Sequence, residues 1–206
     1  MDTDEAAQRK AERKAAALHN VGWETGAGAA VWARAVQDGL ALHESARDRF
    51  AAGTADRESW ERLHSTALTL VVSIDQVLAF ESRVRRLTGD AELARARARF
   101  DAVCPNAEAL RDLVAHLDAY AVGEGFRQMG KQLPPIDDDH LATFIFWTDG
   151  GGTILNLGDH RLNLREASNA AVNLAQVVER VRARHLKRAE HEANAALRRR
   201  FALPSE

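Results

Sequence analysis

Leu63-His64-Ser65-Thr66-Ala67-Leu68-Thr69-Leu70-Val71-Val72-Ser73-Ile74-Asp75-Gln76-Val77-Leu78 decides the fold class. Leu63, Ala67, Leu70, Val71, Ile74, Val77 and Leu78 recur at three- and four-residue steps, the spacing that gathers apolar side chains into one stripe of an α-helix. The pattern predicts a central helix over residues 55–87, with Thr54 placed to cap its start and Thr88-Gly89-Asp90 closing it. Its most apolar run, Ala67 to Phe80, is shorter than the roughly 20 residues a bilayer span needs and contains Ser73 and Asp75, so it reads as a buried helix.

Working outward, the neighbours of this stretch are helical too. Residues 4–19 are rich in Ala, Arg and Glu until His19-Asn20-Val21-Gly22 breaks the pattern, which suggests a surface helix or a partner-dependent arm over residues 1–22. A second helix is expected over 28–50, with Val31, Ala35, Leu40, Leu42 and Ala46 loosely periodic and Gly53-Thr54 ending it. A short helix over 91–103 follows. Pro105-Asn106 then opens another, whose stripe is Leu110, Leu113, Val114, Leu117 and Ala121 and whose stop is Gly123 and Gly125.

Beyond a linker at Lys131 to Pro135 the pattern changes. Leu141 to Trp147 and Thr153 to Leu157 flank Asp149-Gly150-Gly151-Gly152, which reads as a β-hairpin, and Arg161 to Asn163 offers a third short strand. Leu164 to Phe201 is one long helix with Ala171, Leu174, Ala175, Val178 and Val181 inward; its Arg- and Glu-rich last third is expected to project into solvent. The expected fold is mainly α: a helical bundle with a small antiparallel β-hairpin or sheet inserted before the long C-terminal helix. Residues 23–206 form its single domain, with the β insertion at about 141–163 and residues 1–22 as the helical arm.

The 206 residues can bury one substantial core. A formal net charge of -2 and a pI near 6.5 exert no global pull on nucleic acid or anionic membrane, so any polyanion site must be a local patch. Lys10, Lys14, Lys131 and Lys187 are the whole lysine complement, and Arg carries the rest of the positive charge. The single cysteine, Cys104, excludes an internal disulfide and a Cys-built metal cluster. Acidic and polar residues stand at the start, where a secretory signal would need a basic and then an apolar stretch, and a cytoplasmic location is expected.

Chemistry concentrates in Arg111-Asp112-Leu113-Val114-Ala115-His116, which joins a cation to a titratable base on an amphipathic helix. At about 100° per residue, Asp112, His116 and Tyr120 share a flank while Arg111 lies roughly 140° from His116. Two copies of the helix meeting across a dimer axis would bring both groups to one cleft. An imidazole near neutral pH can take the proton of a ribose 2′-hydroxyl, and a guanidinium can stabilise the charge growing on the attacked phosphate. Such RNA cleavage needs no metal or cofactor. The local alternative is an Asp112–His116 pair on a solvated face with Arg111 free.

Arg-Asp-x-x-x-His resembles the signature of the HEPN superfamily of helical-bundle ribonucleases, Arg followed by a polar residue and a His four to six positions on. The resemblance covers one helix. It implies that Arg111 and His116 are catalytic, that Asp112 orients His116, and that the active cleft forms between two protomers. It also implies an RNA substrate and a homodimer, and many members are toxins or antiviral effectors with a protein antitoxin or other regulatory partner. In one branch a Tyr two positions after the His is modified by its antitoxin. Here position 118 is Asp and the Tyr is Tyr120, an accessory or modification site by resemblance and a half-buried core edge by its chemistry alone. The hairpin lies outside the minimal pattern, which marks a divergent member.

Arg127 and Lys131, on the Gly-rich segment that follows, are the nearest substrate-binding candidates, with an ordinary linker as the alternative. Asp137-Asp138-Asp139-His140 lacks an in-phase ligand partner and reads as a capping or solubilising segment, so no metal site is expected. Ser73 and Cys104 have no activating neighbours and read as structural. Arg83, Arg85 and Arg86 suit a helix C-terminus, and Arg198-Arg199-Arg200 is a solvated tail or an RNA contact. A non-catalytic module that docks partners through the β insertion and the long last helix is the competing reading, since Phe144, Ile145, Phe146 and Trp147 put apolar groups on both strand faces.

Overall fold

The computed structural model describes residues 3–24, 28–52, 57–105, 107, 109, 145–149, 152–157 and 160–200. Five helices and three strands fall among them. They are α1 (Thr3–Glu24), α2 (Ala29–Ala51), α3 (Arg57–Thr88), α4 (Ala91–Val103), β1 (Ile145–Asp149), β2 (Gly152–Leu157), β3 (His160–Asn163) and α5 (Leu164–Arg200). The fold is the expected one, a helical bundle with a small antiparallel sheet before the long C-terminal helix. The 37-residue α5 is the shared element: it touches α1, α2, α3, α4 and both β2 and β3.

The core is built on the stripe that the sequence marked. Leu63, Ala67, Leu70, Val71, Ile74, Val77 and Leu78 are all buried, and Phe80 and Val84 extend the stripe. Burying each large apolar side chain of this set stabilises the fold by about 1.5–3 kcal/mol. Over one 18-residue window α3 is long and apolar enough to cross a membrane, but 56% of that window is buried inside the protein. From α5, Ala171, Leu174, Ala175, Val178 and Val181 close on the stripe as expected.

α2 packs in a different rotation from the one expected. Its buried positions are Ala29, Ala33, Val36, His43 and Ala46, while Val31 and Leu42 are 56% and 63% exposed. The reason is size. Small residues let α2 lie close against α3, and a Cβ at Gly39 would already stand 3.4 Å from Leu70 Cδ1. The start of α2 is capped from another helix: Glu179 Oε1 on α5 accepts from the Ala30 N–H at 3.3 Å, and its other oxygen holds Arg182, which also donates to the Leu18 carbonyl of α1.

The last third of α5 does not project into solvent, in contrast to the sequence expectation. Ala189 and Ala196 are buried, because α1 runs along α5 and sets its own Ala11, Leu18 and Val21 inward. Alanine-rich faces carry little periodic signal, yet two of them can approach closely enough to bury each other. α1 is therefore a wall of the bundle.

The sheet has the order β1-β2-β3, antiparallel throughout, with Asp149 opposite Gly152 and Leu155 opposite Leu162. Leu155 and Leu162 join the main core. The first strand is described from Ile145, so residues 141–144 of the expected strand lie outside the described residues. Asn163 caps α5, its Oδ1 accepting from the N–H groups of Arg165 and Glu166 at 3.1 and 3.2 Å.

Candidate functional site

Arg111, Asp112, His116, Tyr120, Arg127 and Lys131 lie outside the described residues, as do the stripe from Leu110 to Ala121 and the Asp137–His140 segment. The described part of the molecule carries a different cluster, at the junction where α3 hands over to α4. Gly89 makes that junction: at φ +62° it occupies the left-handed region open to glycine, and its N–H donates to the Arg85 carbonyl at 2.8 Å, ending α3.

Asp90 follows at once as the N-cap of α4. Its Oδ1 accepts from the Glu92 N–H at 2.8 Å, and its Oδ2 accepts from His185 Nε2 and from Arg184, both at 2.8 Å. Glu92 accepts from Arg180 at 2.8 Å and from Arg184 at 3.1 Å. The bond from His185 chiefly, then the bonds from the Glu92 N–H and Arg184, hold the Asp90 carboxyl down to about 2. Arg180 and Arg184 likewise hold the Glu92 carboxyl below its usual range.

An Asp–His pair invites a catalytic reading, but the geometry is that of a tether. The second imidazole nitrogen, Nδ1, is buried without a hydrogen-bond partner and presents no surface to a ligand. The pair fixes α5 to the start of α4. Asp90 is therefore expected to stabilise the fold by about 1–2 kcal/mol above pH 4, a contribution lost as pH falls through about 2, where the folded carboxyl finally protonates. Asp90→Asn should show that loss already at pH 7 in urea unfolding. An unchanged midpoint would dissociate the cap from the tether.

Two grooves flank α1 beside this junction. One, of about 630 Å³, lies between α1 and α5 and is lined by Lys10, Lys14, Thr88, His185, Arg188 and His191, with Glu192 as its acid. Glu192 is bound to Arg188 at 2.8 Å. The other, of about 600 Å³, lies between α1 and the end of α3 and is lined by Arg13, Asn20, Arg83, Arg86 and Leu87. The expectation that Arg83 and Arg86 only complement a helix C-terminus took no account of Arg13, which the fold brings to the same groove. A third cleft, of about 540 Å³ between α3 and α4, is charge-balanced: Arg85 and Arg97 meet the buried Glu81, and Arg97 also meets Asp101 at 2.8 Å.

Cys104 is buried, and burial pushes its thiol up to about 12, which removes it as a nucleophile near neutral pH. The buried Ser73 donates to the Thr69 carbonyl at 2.9 Å, a structural bond. Among the described residues no group of three or more His, Cys, Asp or Glu is placed to hold a metal ion. The Asp90–His185 pair escaped sequence reasoning because its members stand 95 residues apart. Its one local signal was the Asp after Gly89, an N-cap residue.

No protein-family model, curated protein or solved structure matches this chain. The likeness to HEPN ribonucleases therefore stands on residues 111–116.

Proposed function

We propose that the protein is a metal-independent endoribonuclease of HEPN type that acts as a homodimer. The observation that carries this reading is the Arg111-Asp112-x-x-x-His116 sequence in a chain whose described core is a helical bundle. In this mechanism His116 takes the proton from a ribose 2′-hydroxyl, and the freed oxygen attacks the adjacent phosphorus. The bond from phosphorus to the 5′-oxygen breaks, leaving a 2′,3′-cyclic phosphate, and an imidazolium or water returns a proton to the 5′-oxygen. Arg111 stabilises the charge on the phosphorane, and Asp112 orients the imidazole. Tyr120 is an accessory or modification position, and Arg127 and Lys131 are substrate contacts. A toxin or antiviral role under a protein antitoxin fits the same chemistry.

The test is cleavage of end-labelled RNA in the presence of a chelator. His116→Ala and Arg111→Ala should each lower the rate by about 100-fold or more with circular dichroism and oligomeric mass unchanged. Undiminished cleavage by both variants would overturn the assignment. A chain without cleavage activity would favour the docking reading, for which the edge position of β1 in the sheet is the relevant observation.

A further inference from the structure

Several surface arginines in this protein are neutralised within their own helix. Arg34 pairs with Asp38, Arg57 with Glu61, Arg62 with Glu58 and Arg188 with Glu192, each four residues apart. The cations beside α1 have no such pair among the described residues. Arg13, Arg83 and Arg86 share one groove with no acidic lining residue among those described, and Lys10 and Lys14 open into the next. Both grooves border α1 and the last residues of α3, Thr88 lining one and Arg83, Arg86 and Leu87 the other, so their cations are neighbours along these two helices. In a chain of net charge -2, this is a local concentration of unneutralised positive charge.

From this juxtaposition we infer that the track formed by Lys10, Arg13, Lys14, Arg83 and Arg86 binds the phosphate backbone of single-stranded RNA. The cations belong to three separate turns of α1 and α3, so they present charge at successive points, as a strand of repeating phosphates requires and a single anion does not. From Lys10 to Lys14 the cations of α1 span about 6 Å along its axis. A lipid surface fits poorly, because Ala11, Leu18 and Val21 of α1 are already buried in the bundle and cannot enter a bilayer. In choosing RNA over another polyphosphate, the inference rests on the ribonuclease reading.

The experiment measures anisotropy of a fluorescent single-stranded RNA on the full chain carrying His116→Ala, which holds the substrate uncut. Arg13→Gln with Arg83→Gln and Arg86→Gln should weaken binding about tenfold or more, and the slope of log affinity against log salt should flatten by about 0.7 for each phosphate no longer neutralised. Lys10→Gln with Lys14→Gln should act in the same direction. Arg34→Gln with Arg57→Gln and Arg62→Gln removes equal charge at paired sites and should leave affinity within about twofold. Equal weakening by both triple variants, unchanged binding by the track variants, or binding to anionic vesicles but not to RNA would each overturn the inference. Cleavage by the wild type with unchanged binding in the track variants would sink the track and spare the ribonuclease. Track-dependent binding by a chain that never cleaves would do the reverse.

Discussion

Glu81→Ala is expected to lower the free energy of unfolding by about 3 kcal/mol. Its carboxylate has no exposed surface and receives Arg85 Nε at 2.8 Å from its own helix and Arg97 Nη1 at 3.4 Å from α4. Truncation leaves a cavity and deprives both guanidinium groups of their shared anion, a loss that exceeds the gain from no longer burying the acid. The figure sits at the low end of such cases because Arg85 is 43% exposed and can turn to water, and because Arg97 keeps Asp101. Urea unfolding followed by circular dichroism should show a lower midpoint at unchanged slope, and heat unfolding a drop of about 6–10 °C. Glu81→Gln, which keeps the shape and loses the charge, should fall between. A change under about 1 kcal/mol in the alanine variant would mean that the pair does not fasten α4 to α3.

Acid should destabilise the protein in two stages, and His43 sets the first. The imidazole is fully buried between α2 and α3, with Nδ1 3.1 Å from Thr66 Oγ1. Thr66 gives its hydroxyl proton to the Arg62 carbonyl at 2.9 Å, which leaves its oxygen to accept from His43. Burial chiefly, opposed by a bond to the Leu63 backbone and aided by the nearby Arg47, lowers the His43 pKa from 6.5 to about 4; Glu44 and His64 are the other charged or titratable neighbours, with opposite and smaller effects.

The unfolded chain therefore binds a proton as pH falls through 6.5, while the folded chain refuses it until about 4. Stability is flat above 6.5 and declines across that window, by about 3 kcal/mol in all. Below it, the Asp90 contribution disappears in turn between about 4 and 2. His43→Leu should flatten the first stage alone, since Thr66 retains its backbone partner. Denaturant midpoints at pH 7, 5.5 and 4.5 decide the matter: a wild-type profile level across them, or a variant profile just as steep, would rule out the buried neutral imidazole.

Both expectations concern polar groups that a reading of periodicity passed over, and the reason is physical. The stripe from Leu63 to Leu78 was legible because large apolar side chains at helical spacing have one stable destination. The same holds for Ala171 to Val181 and for a strand pair around Asp149-Gly150-Gly151-Gly152. In α2 the rule misled. Val31 and Leu42 stay exposed, and the face that packs closely on α3 carries Ala29, Ala33, Val36, His43 and Ala46.

Of the candidate sites, the Arg111–His116 motif was visible at once because its members are near neighbours in the chain. Asp90 with His185, Glu81 with Arg97, and Arg13 with Arg83 and Arg86 join residues from separate helices, and no spacing rule links them. Sequence alone determined the helical class, the place of the β insertion, the central helix and the absence of an internal disulfide, since each follows from local pattern or composition. Only the tertiary structure decided which face of α2 turns inward, that α1 and the end of α5 cover each other, and where unpaired positive charge gathers. Those outcomes depend on distances between chain-remote side chains, and close packing of small residues sets such distances without leaving a periodic trace.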